Sequence, residues 1–466
     1  MRTYFFETYG CQMNIAESAA VEQLFIARGW QKALDCETAD AVIINTCSVR
    51  QTAENRIFGR LGYYDGLKKL RNGMPDAKTR SLEKAAQYVK DGPKPLTVIV
   101  MGCMAERLLE SLQKDYPVVD YVVGTFAKGQ FGKIIEAVEE KLSGQTGRQK
   151  IELDDNHEYK FASLSYEKGS FTAFVPIMHG CNNFCTYCIV PYVRGRECSR
   201  KCDEIIKELD VLSSYGVKEI TLLGQNVNSY HGENGMDFPQ LLTKICRHLE
   251  ETSSPIHWVR FVSSHPKDLS DKLIEVIAKE KLLCHHIHLP VQHGSSAVLK
   301  KMNRSYTRED YLLLVEKIRK AIPDVSLTTD VMMGFPFETE EDVELTVDLM
   351  KKVRYESAFM YYYNPRSGTP AAKWENQIPL EEKKSRLQKI IDLQLVITRE
   401  EMQKRVGSTV EVLVQNVSHS NENELFGKTQ QDESIVFEAP KNMIGNFARV
   451  HIDCLNGNTF RGTLCK

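Results

Sequence analysis

No stretch of this sequence stays apolar for the ~18 residues that a membrane-crossing helix needs. Nor does it open on a charged and then apolar leader, since Met1 to Gly10 hold one Arg and a short strand-like run with Glu7 inside it. A cytoplasmic protein is expected. Charge of one sign is also missing: 60 Lys and Arg stand against 62 Asp and Glu, a net of −2. No global field therefore draws the chain to nucleic acid, and any RNA contact must rest on local basic patches. The 13 cysteines are an odd number in a chain with no export signal. This disfavours a disulfide framework and leaves reduced thiols for metal. A length of 466 residues with 42% hydrophobic content fits a globular chain of about three domains.

In the densest group of thiols, Cys181-Asn-Asn-Phe-Cys185-Thr-Tyr-Cys188, what is absent is a fourth ligand. The spacing C-x3-C-x2-C can bind three corners of an iron–sulfur cubane and leave one iron open, whereas an electron-carrying ferredoxin closes every iron with cysteine. An open iron points to chemistry on a small molecule. A four-ligand zinc knuckle and a redox pair at Cys185 and Cys188 are the competing readings.

Residues 2–140 alternate short apolar runs with amphipathic stretches, the pattern of a parallel sheet wrapped by helices. Strands are predicted at Thr3–Thr8, Ala41–Asn45, Thr97–Met101 and Tyr121–Val123. Three cysteines stand just after three of them, in Tyr9-Gly10-Cys11, Asn45-Thr46-Cys47 and Met101-Gly102-Cys103. The carboxyl ends of parallel strands line one crevice, so three thiolates meeting there can hold a second cluster, again with an open iron. The alternative is three buried apolar residues, because free Cys is among the most buried types. Cys36 follows no predicted strand and reads as structural. Lys68 to Pro95 is a polar segment with eight Lys or Arg against three Asp or Glu, either a solvated helix or a phosphate contact. Residues 141–166 read as a linker.

A second α/β series has strands near 173–179, 218–224, 256–263, 285–290, 325–331 and 357–363. Six βα units are too few for a closed eight-unit barrel, so an incomplete (βα)6 barrel is expected, with the cysteine loop at its carboxyl-end rim. Gln225, Asn226, Ser263, Ser264, Gln292 and Asp330 follow or end strands and face the same mouth as candidate cofactor or substrate contacts; caps and turns are the plainer role for such residues. His285, His286 and His288 alternate in an apolar strand and read as structural, and Cys198 and Cys202 as incidental. Basic residues cluster at Lys300 to Lys320 and at Arg194, Arg196, Arg200 and Lys201, either as solvated faces or as RNA contacts. After a helix at 380–405, five strands (Val410–Val414, Leu425–Thr429, Ile435–Phe437, Phe447–Ile452, Thr459–Leu464) suggest a small β-barrel.

The octet at Cys181 resembles the signature of radical S-adenosylmethionine (SAM) enzymes. The run Ile189-Val-Pro-Tyr-Val-Arg-Gly-Arg-Glu197, with Gly10-Cys-Gln-Met-Asn14, Asn45-Thr-Cys-Ser-Val-Arg50 and Met101-Gly-Cys-Met-Ala-Glu-Arg107, narrows the resemblance to the methylthiotransferases, closest to those acting on tRNA. The resemblance implies an N-terminal α/β domain at 2–140, a radical SAM core at 167–397 and an OB-like TRAM barrel at 400–464. It also implies two 4Fe–4S clusters, an auxiliary one on Cys11, Cys47 and Cys103 and one on Cys181, Cys185 and Cys188 where SAM is cleaved to a 5′-deoxyadenosyl radical. Two SAM molecules would methylthiolate C2 of N6-isopentenyladenosine beside the tRNA anticodon, a base that can be splayed from its loop. An electron donor such as flavodoxin or ferredoxin and a monomeric state are expected. Threonylcarbamoyladenosine in tRNA and a ribosomal-protein aspartate are the rival substrates, and a non-catalytic iron–sulfur RNA sensor is a reading of another class. One feature departs from an RNA binder: residues 407–466 hold five Lys or Arg against seven Asp or Glu, which leaves Lys428, Lys441, Arg449 and Arg461 as candidate phosphate contacts.

Overall fold

The structure, a computed structural model, describes residues 2–48, 51–74, 94–144 and 159–465. Residues 75–93 of the basic segment and 145–158 of the expected linker lie outside the described residues. The chain packs as two compact units, one of residues 1–168, 174–182 and 189–200, the other of 169–173, 183–188 and 201–466.

In the first unit β1 (Thr3–Thr8), β2 (Gln31–Lys32), β3 (Ala41–Thr46), β4 (Thr97–Gly102) and β5 (Tyr121–Val123) form one sheet in the order 2-1-3-4-5. Every pair is parallel. Its helices are α1 (Gln12–Ala27), α2 (Gln51–Arg71), α3 (Cys103–Arg107), α4 (Leu109–Asp115) and α5 (Phe131–Leu142). β3 and β4 are buried at every position, and their successive residues point to opposite sides. Ala41, Ile43, Ile99 and Met101 pack with Phe25 of α1 and Phe131 of α5, whereas Val42, Ile44, Val98 and Val100 pack with Ile57, Leu61 and Tyr64 of α2. Helices on both faces are what a parallel sheet requires, and burying each Val or Ile contributes roughly 1.5–3 kcal/mol. Strand order reverses between β1 and β3, and such a reversal opens a crevice at the carboxyl ends. β6 (Thr172–Pro176) runs across the division between the units. β7 (Met178–His179), the short α6 (Val190–Arg194) and β8 (Cys198–Ser199) complete the first unit, with β7 and β8 paired antiparallel.

The second unit alternates α7 (Cys202–Ser214), β9 (Glu219–Leu223), α8 (Phe238–Glu251), β10 (Trp258–Phe261), α9 (Asp271–Lys279), β11 (His286–His288), α10 (Ser296–Lys301), α11 (Arg308–Ala321), β12 (Ser326–Met333), α12 (Glu340–Val353) and β13 (Ser357–Tyr362). β9 and β10 are parallel neighbours, a parallel bridge from Val259 to Leu283 carries the series on, and β11, β12 and β13 follow in parallel. The helices begin where the sequence supplies caps: Asp237, Ser270, Ser295, Thr307 and Thr339 each accept a backbone N–H from the first turn, typically worth ~1 kcal/mol apiece.

α13 (Leu380–Gln403) leads into a closed barrel of β14 (Thr409–Val417), β15 (Glu424–Thr429), β16 (Ser434–Glu438), β17 (Phe447–Asn456) and β18 (Thr459–Leu464), in the order 14-15-16-18-17. Val412, Val414, Leu425, Ile435, Phe437, Val450, Ile452 and Phe460 fill its core. This barrel shares the second compact unit with the parallel strands. Trp258 and Cys284 pack with Leu413, Phe171 and Phe447, and Arg260, paired with Glu219 at 2.9 Å, donates to the carbonyls of Thr429 and Gln430 at 2.7 Å each.

Candidate active site

Cys47 and Cys103 directly follow β3 and β4, and Cys11 follows β1 by three residues. All three therefore stand at the carboxyl-end crevice. Cys11 is the N-cap of α1 and Cys103 is the first residue of α3. A buried amide pair stitches the loops together: Asn14 Nδ2 donates to Asn45 Oδ1 at 2.9 Å and to the Thr46 carbonyl at 3.0 Å, and Asn45 Nδ2 returns a bond to the Asn14 carbonyl at 2.8 Å. Gly102 makes the approach possible. Its φ is +98°, and a Cβ there would lie 2.5 Å from both Asn45 Oδ1 and the Thr46 carbonyl, so a side chain would force β3 and β4 apart where Cys47 and Cys103 begin. A Cβ on Gly10, beside Cys11, would lie 3.1 Å from that of Cys47.

Beside this rim sits a buried charge cluster with no sequence-local signature. Arg194 of α6 donates Nε to the Cys103 sulfur at 3.1 Å, and Nη1 and Nη2 to Glu17 of α1 at 2.8 and 3.3 Å. Lys128 forms a second ion pair with Glu17, and His179, with Tyr159 stacked on it at 3.5 Å, lies 3.4 Å from Arg194 Nη1. Burial pushes the Cys103 thiol up while the Arg194 guanidinium pulls the other way. For Glu17 burial also acts upward, but Arg194 and Lys128 outweigh it and hold the carboxyl below its usual range.

In the second cysteine set, Cys181 belongs to the first compact unit, and Cys185 and Cys188 to the second. Gly180, with φ +79°, leads into Cys181; a Cβ there would lie 2.0 Å from the Arg196 carbonyl, and the Cys181 N–H bonds the Gly195 carbonyl at 3.1 Å. Cys185 and Cys188 are joined in a turn, the Cys188 N–H donating to the Cys185 carbonyl at 2.9 Å. Asn303 Nδ2 holds the carbonyls of Asn183 and Phe184 at 3.1 Å, Thr186 bonds the carbonyls of Lys301 and Met302, and Arg304 Nη1 approaches the Cys185 sulfur at 3.6 Å. Burial opposes the charge on Arg304, yet Tyr306, Tyr187 and Cys185 together keep it protonated. Among the described residues no three of His, Cys, Asp or Glu close on a single metal ion. A cubane places each thiolate on its own iron, so its ligands stand further apart than those of one ion. A buried arginine stands at a sulfur in each unit, Arg194 at Cys103 and Arg304 at Cys185.

The strand-end residues divide. Gln292 is built into the sheet, its N–H bonding the Asp330 carbonyl and its carbonyl the Met332 N–H, while its Oε1 accepts from Tyr361 at 2.9 Å. Asp330 lies 3.5 Å from His288 Nε2. Ser263 takes φ +70° and its carbonyl accepts from the Val227 N–H. Gln225 makes contacts of its own. Asn226 Nδ2 bonds Asp268 at 2.7 Å, but its Oδ1 is buried with no partner among the described residues, as are both amide atoms of Asn228, Ser264 Oγ and His265 Nε2. Asn228 and His265 are not singled out by the sequence, because a polar residue after a strand looks the same whether it caps a turn or faces a ligand. His265 Nδ1 accepts the Lys267 N–H, and burial, with Arg304, drives the ring down to about 2. The neutral ring therefore carries its proton on Nε2, an unmatched donor. These orphaned atoms at the ends of β9 and β10 fit a polar ligand such as SAM, since buried polar groups are seldom left unpaired.

Other residues that the sequence marks out have plainer places. His285 pairs with Asp324, and His286 and His288 share the Thr328 hydroxyl, a structural arrangement. Arg194 and Arg200 are buried at 3% and 2% exposure and are not surface contacts for RNA. Arg304 and Arg308 in the Lys300 to Lys320 cluster are buried as well, the latter paired with Asp348. Lys68 is tied to Asp120 and Arg71 to backbone carbonyls. In the terminal barrel Arg461 pairs with Glu424 and Lys428 with Asp432.

The fold and the cysteine loop define a radical SAM enzyme: residues 175–350 match the radical SAM superfamily, residues 3–124 the uncharacterized protein family UPF0004 and residues 403–465 the TRAM domain. The chain belongs to the tRNA-2-methylthio-N(6)-dimethylallyladenosine synthase family. It is 52% identical to that enzyme from Treponema pallidum (strain Nichols), covering 99% of this chain and 98% of the relative. It is 50% identical to that of Treponema denticola over 99% and 100% of the two chains, and 42% identical to that of Carboxydothermus hydrogenoformans over 97% and 96%. Among solved structures the radical SAM methyltransferase TsrM from Kitasatospora setae shares the fold, with a TM-score of 0.54 at 14% identity over 80% of this chain and 77% of that one. Membership of the radical SAM superfamily implies SAM and a 4Fe–4S cluster as cofactors. Among the described residues no helix is long and apolar enough to cross a membrane.

Proposed function

We propose that this chain methylthiolates C2 of N6-isopentenyladenosine next to the anticodon of tRNA, in line with the names its relatives carry. The observation that supports this reading best is the presence of two separate three-cysteine sets, one at the crevice of the N-terminal sheet and one, in the spacing C-x3-C-x2-C, after β7. The first set, within residues 2–140, would hold an auxiliary 4Fe–4S cluster, and the second, opening the core at 167–397, the SAM-cleaving one; residues 400–464 would engage RNA. When bound, the clusters and two SAM molecules supply the radical and methyl-transfer chemistry that an unactivated aromatic C–H demands.

The chain's own residues bind and orient. Arg304 offsets thiolate charge at Cys185. Asn226 Oδ1, Ser264 Oγ and the His265 Nε2–H supply acceptor and donor groups for the amino, carboxylate and hydroxyl groups of SAM, and the Tyr361–Gln292 bond fixes two further polar groups on neighbouring segments. A reductant such as flavodoxin or ferredoxin, a monomeric enzyme and a cytoplasmic location accompany this reading. Mass spectrometry of tRNA nucleosides from cells lacking the protein tests it: 2-methylthio-N6-isopentenyladenosine is lost and its precursor accumulates. Loss of a methylthiolated threonylcarbamoyladenosine or of a ribosomal-protein modification instead assigns the activity to the rival substrates, and no loss of any modification, with no 5′-deoxyadenosine made in vitro, leaves an iron–sulfur sensor.

A further inference from the structure

The charges buried around Cys103 do not balance by themselves. Glu17 brings one negative charge and Arg194 one positive, and Lys128 adds an ammonium that burial and Arg194 pull below its ordinary range against the opposing pull of Glu17, all at most 9% exposed by side chain. The neighbouring rings of His179 and Tyr159 stack on each other at 3.5 Å and bring no carboxylate. A buried unpaired charge is costly, and the group that Arg194 Nε touches, at 3.1 Å, is the Cys103 sulfur. The pocket is thus made for an anion at that sulfur. Both ends of the Arg194 fork are spent on Glu17, which fixes the guanidinium plane and aims Nε.

We propose that Arg194, clamped by Glu17, is a positioning residue of the auxiliary cluster: its N–H bond to the Cys103 sulfur and its excess positive charge hold that cluster and raise its reduction potential. Hydrogen bonds to ligand sulfurs and local net charge are among the features that set such potentials. The inference rests on the two-cluster reading above.

The test uses the full chain with Cys181, Cys185 and Cys188 replaced by Ala, reconstituted anaerobically so that only the auxiliary cluster remains, and follows its reduction by electron paramagnetic resonance in a redox titration. Arg194→Gln is expected to move the midpoint to more negative potential by a tenfold change in the one-electron equilibrium, about 59 mV, and Arg194→Lys, which keeps the charge but loses the fork, by less. Glu17→Gln removes the negative partner and is expected to move the midpoint the other way. Opposite signs from two residues of one ion pair are not what a merely structural role produces. If Arg194→Gln does not fold, Arg194→Lys and Glu17→Gln decide. Midpoints that coincide with the parent in folded, iron-loaded variants overturn the role of Arg194 and leave the cluster in place. A parent that takes up no iron overturns the cluster reading itself.

Discussion

Arg260 on β10 and Thr429 on β15, 169 residues apart, are joined by a 2.7 Å bond from the guanidinium Nη2 to the backbone carbonyl, with Gln430 taking the Nη1 donor. A strand of the parallel series is thereby tied to the turn after the second strand of the terminal barrel. Burial opposes the charge of Arg260, and Cys284 and Glu219 restore it, so the group is an ion that the fold holds by three hydrogen bonds.

Deleting residues 407–466 should therefore do more than remove an RNA-binding module. It strips Trp258 and Cys284 of Leu413 and Phe447 and leaves Arg260 without its two carbonyls. The truncated chain is expected to melt earlier or aggregate. Arg260→Ala in the full chain, which leaves Glu219 buried without its partner, should cost about 3–5 kcal/mol. Chemical denaturation of both variants checks this, and unchanged midpoints would show the barrel to be an independent module.

Ser264→Ala should lower SAM affinity without lowering stability. The Ser264 hydroxyl is buried and bonds nothing among the described residues, so its loss removes no internal contact, while a ligand hydrogen bond is worth about 0.5–1.5 kcal/mol. Anaerobic calorimetry with SAM should show a roughly 2- to 10-fold weaker Kd at an unchanged melting temperature.

Much of this fold is legible in the sequence. Apolar runs such as Ala41–Thr46 announce strands buried on both faces, and a cysteine just beyond each of three such runs announces a shared rim, because parallel strands deliver their carboxyl ends to one side. Arg194 is not legible in that way. Its run of Arg and Lys looks like a surface patch, and its partner Glu17 lies 177 residues away, a pairing that only the packed chain creates. The docking of Arg260 on Thr429 is hidden for the same reason, since five short strands after a helix read alike whether the barrel stands apart or packs on the core.

Stability should carry a pH signature from Glu356. Burial raises its carboxyl from 4.5 to about 7, although its Oε2 accepts the Leu327 N–H at 2.7 Å. The folded value lies above the unfolded one, so the favourable contribution is full below pH ~4.5 and is lost as pH rises through ~7. Glu356→Gln has no such loss. The melting temperature of the variant relative to the parent should be higher at pH 8 than at pH 5, and an offset that does not change with pH would rule the assignment out.

The terminal barrel offers a contrast within its own basic residues. Lys428 and Arg461 are engaged by Asp432 and Glu424, whereas Lys441 and Arg449 are exposed. Lys441→Ala and Arg449→Ala should weaken tRNA binding and each reduce its salt dependence by a slope of about 1, with Lys428→Ala and Arg461→Ala doing much less. Filter binding across a salt series measures this, and equal effects at all four positions would point to a loss of barrel structure.

The two cysteine sets should fail differently. Replacing Cys181, Cys185 and Cys188 by Ala removes the ligands where SAM would be bound and reduced, so 5′-deoxyadenosine formation should stop and no product should appear. Replacing Cys11, Cys47 and Cys103 should leave SAM cleavage in place, slow and uncoupled, while methylthiolated RNA disappears. On the two-cluster reading each set would hold one cubane, so the intact chain should hold about eight irons and either triple variant about four. Iron, 5′-deoxyadenosine, S-adenosylhomocysteine and the modified nucleoside are measured together under reductant. If the N-terminal variant keeps four irons fewer than the parent yet still makes methylthiolated RNA, the auxiliary cluster is not where sulfur is handled. If it keeps all eight, those three cysteines hold no cluster, and Cys47 and Cys103 are buried structural residues beside an exposed Cys11.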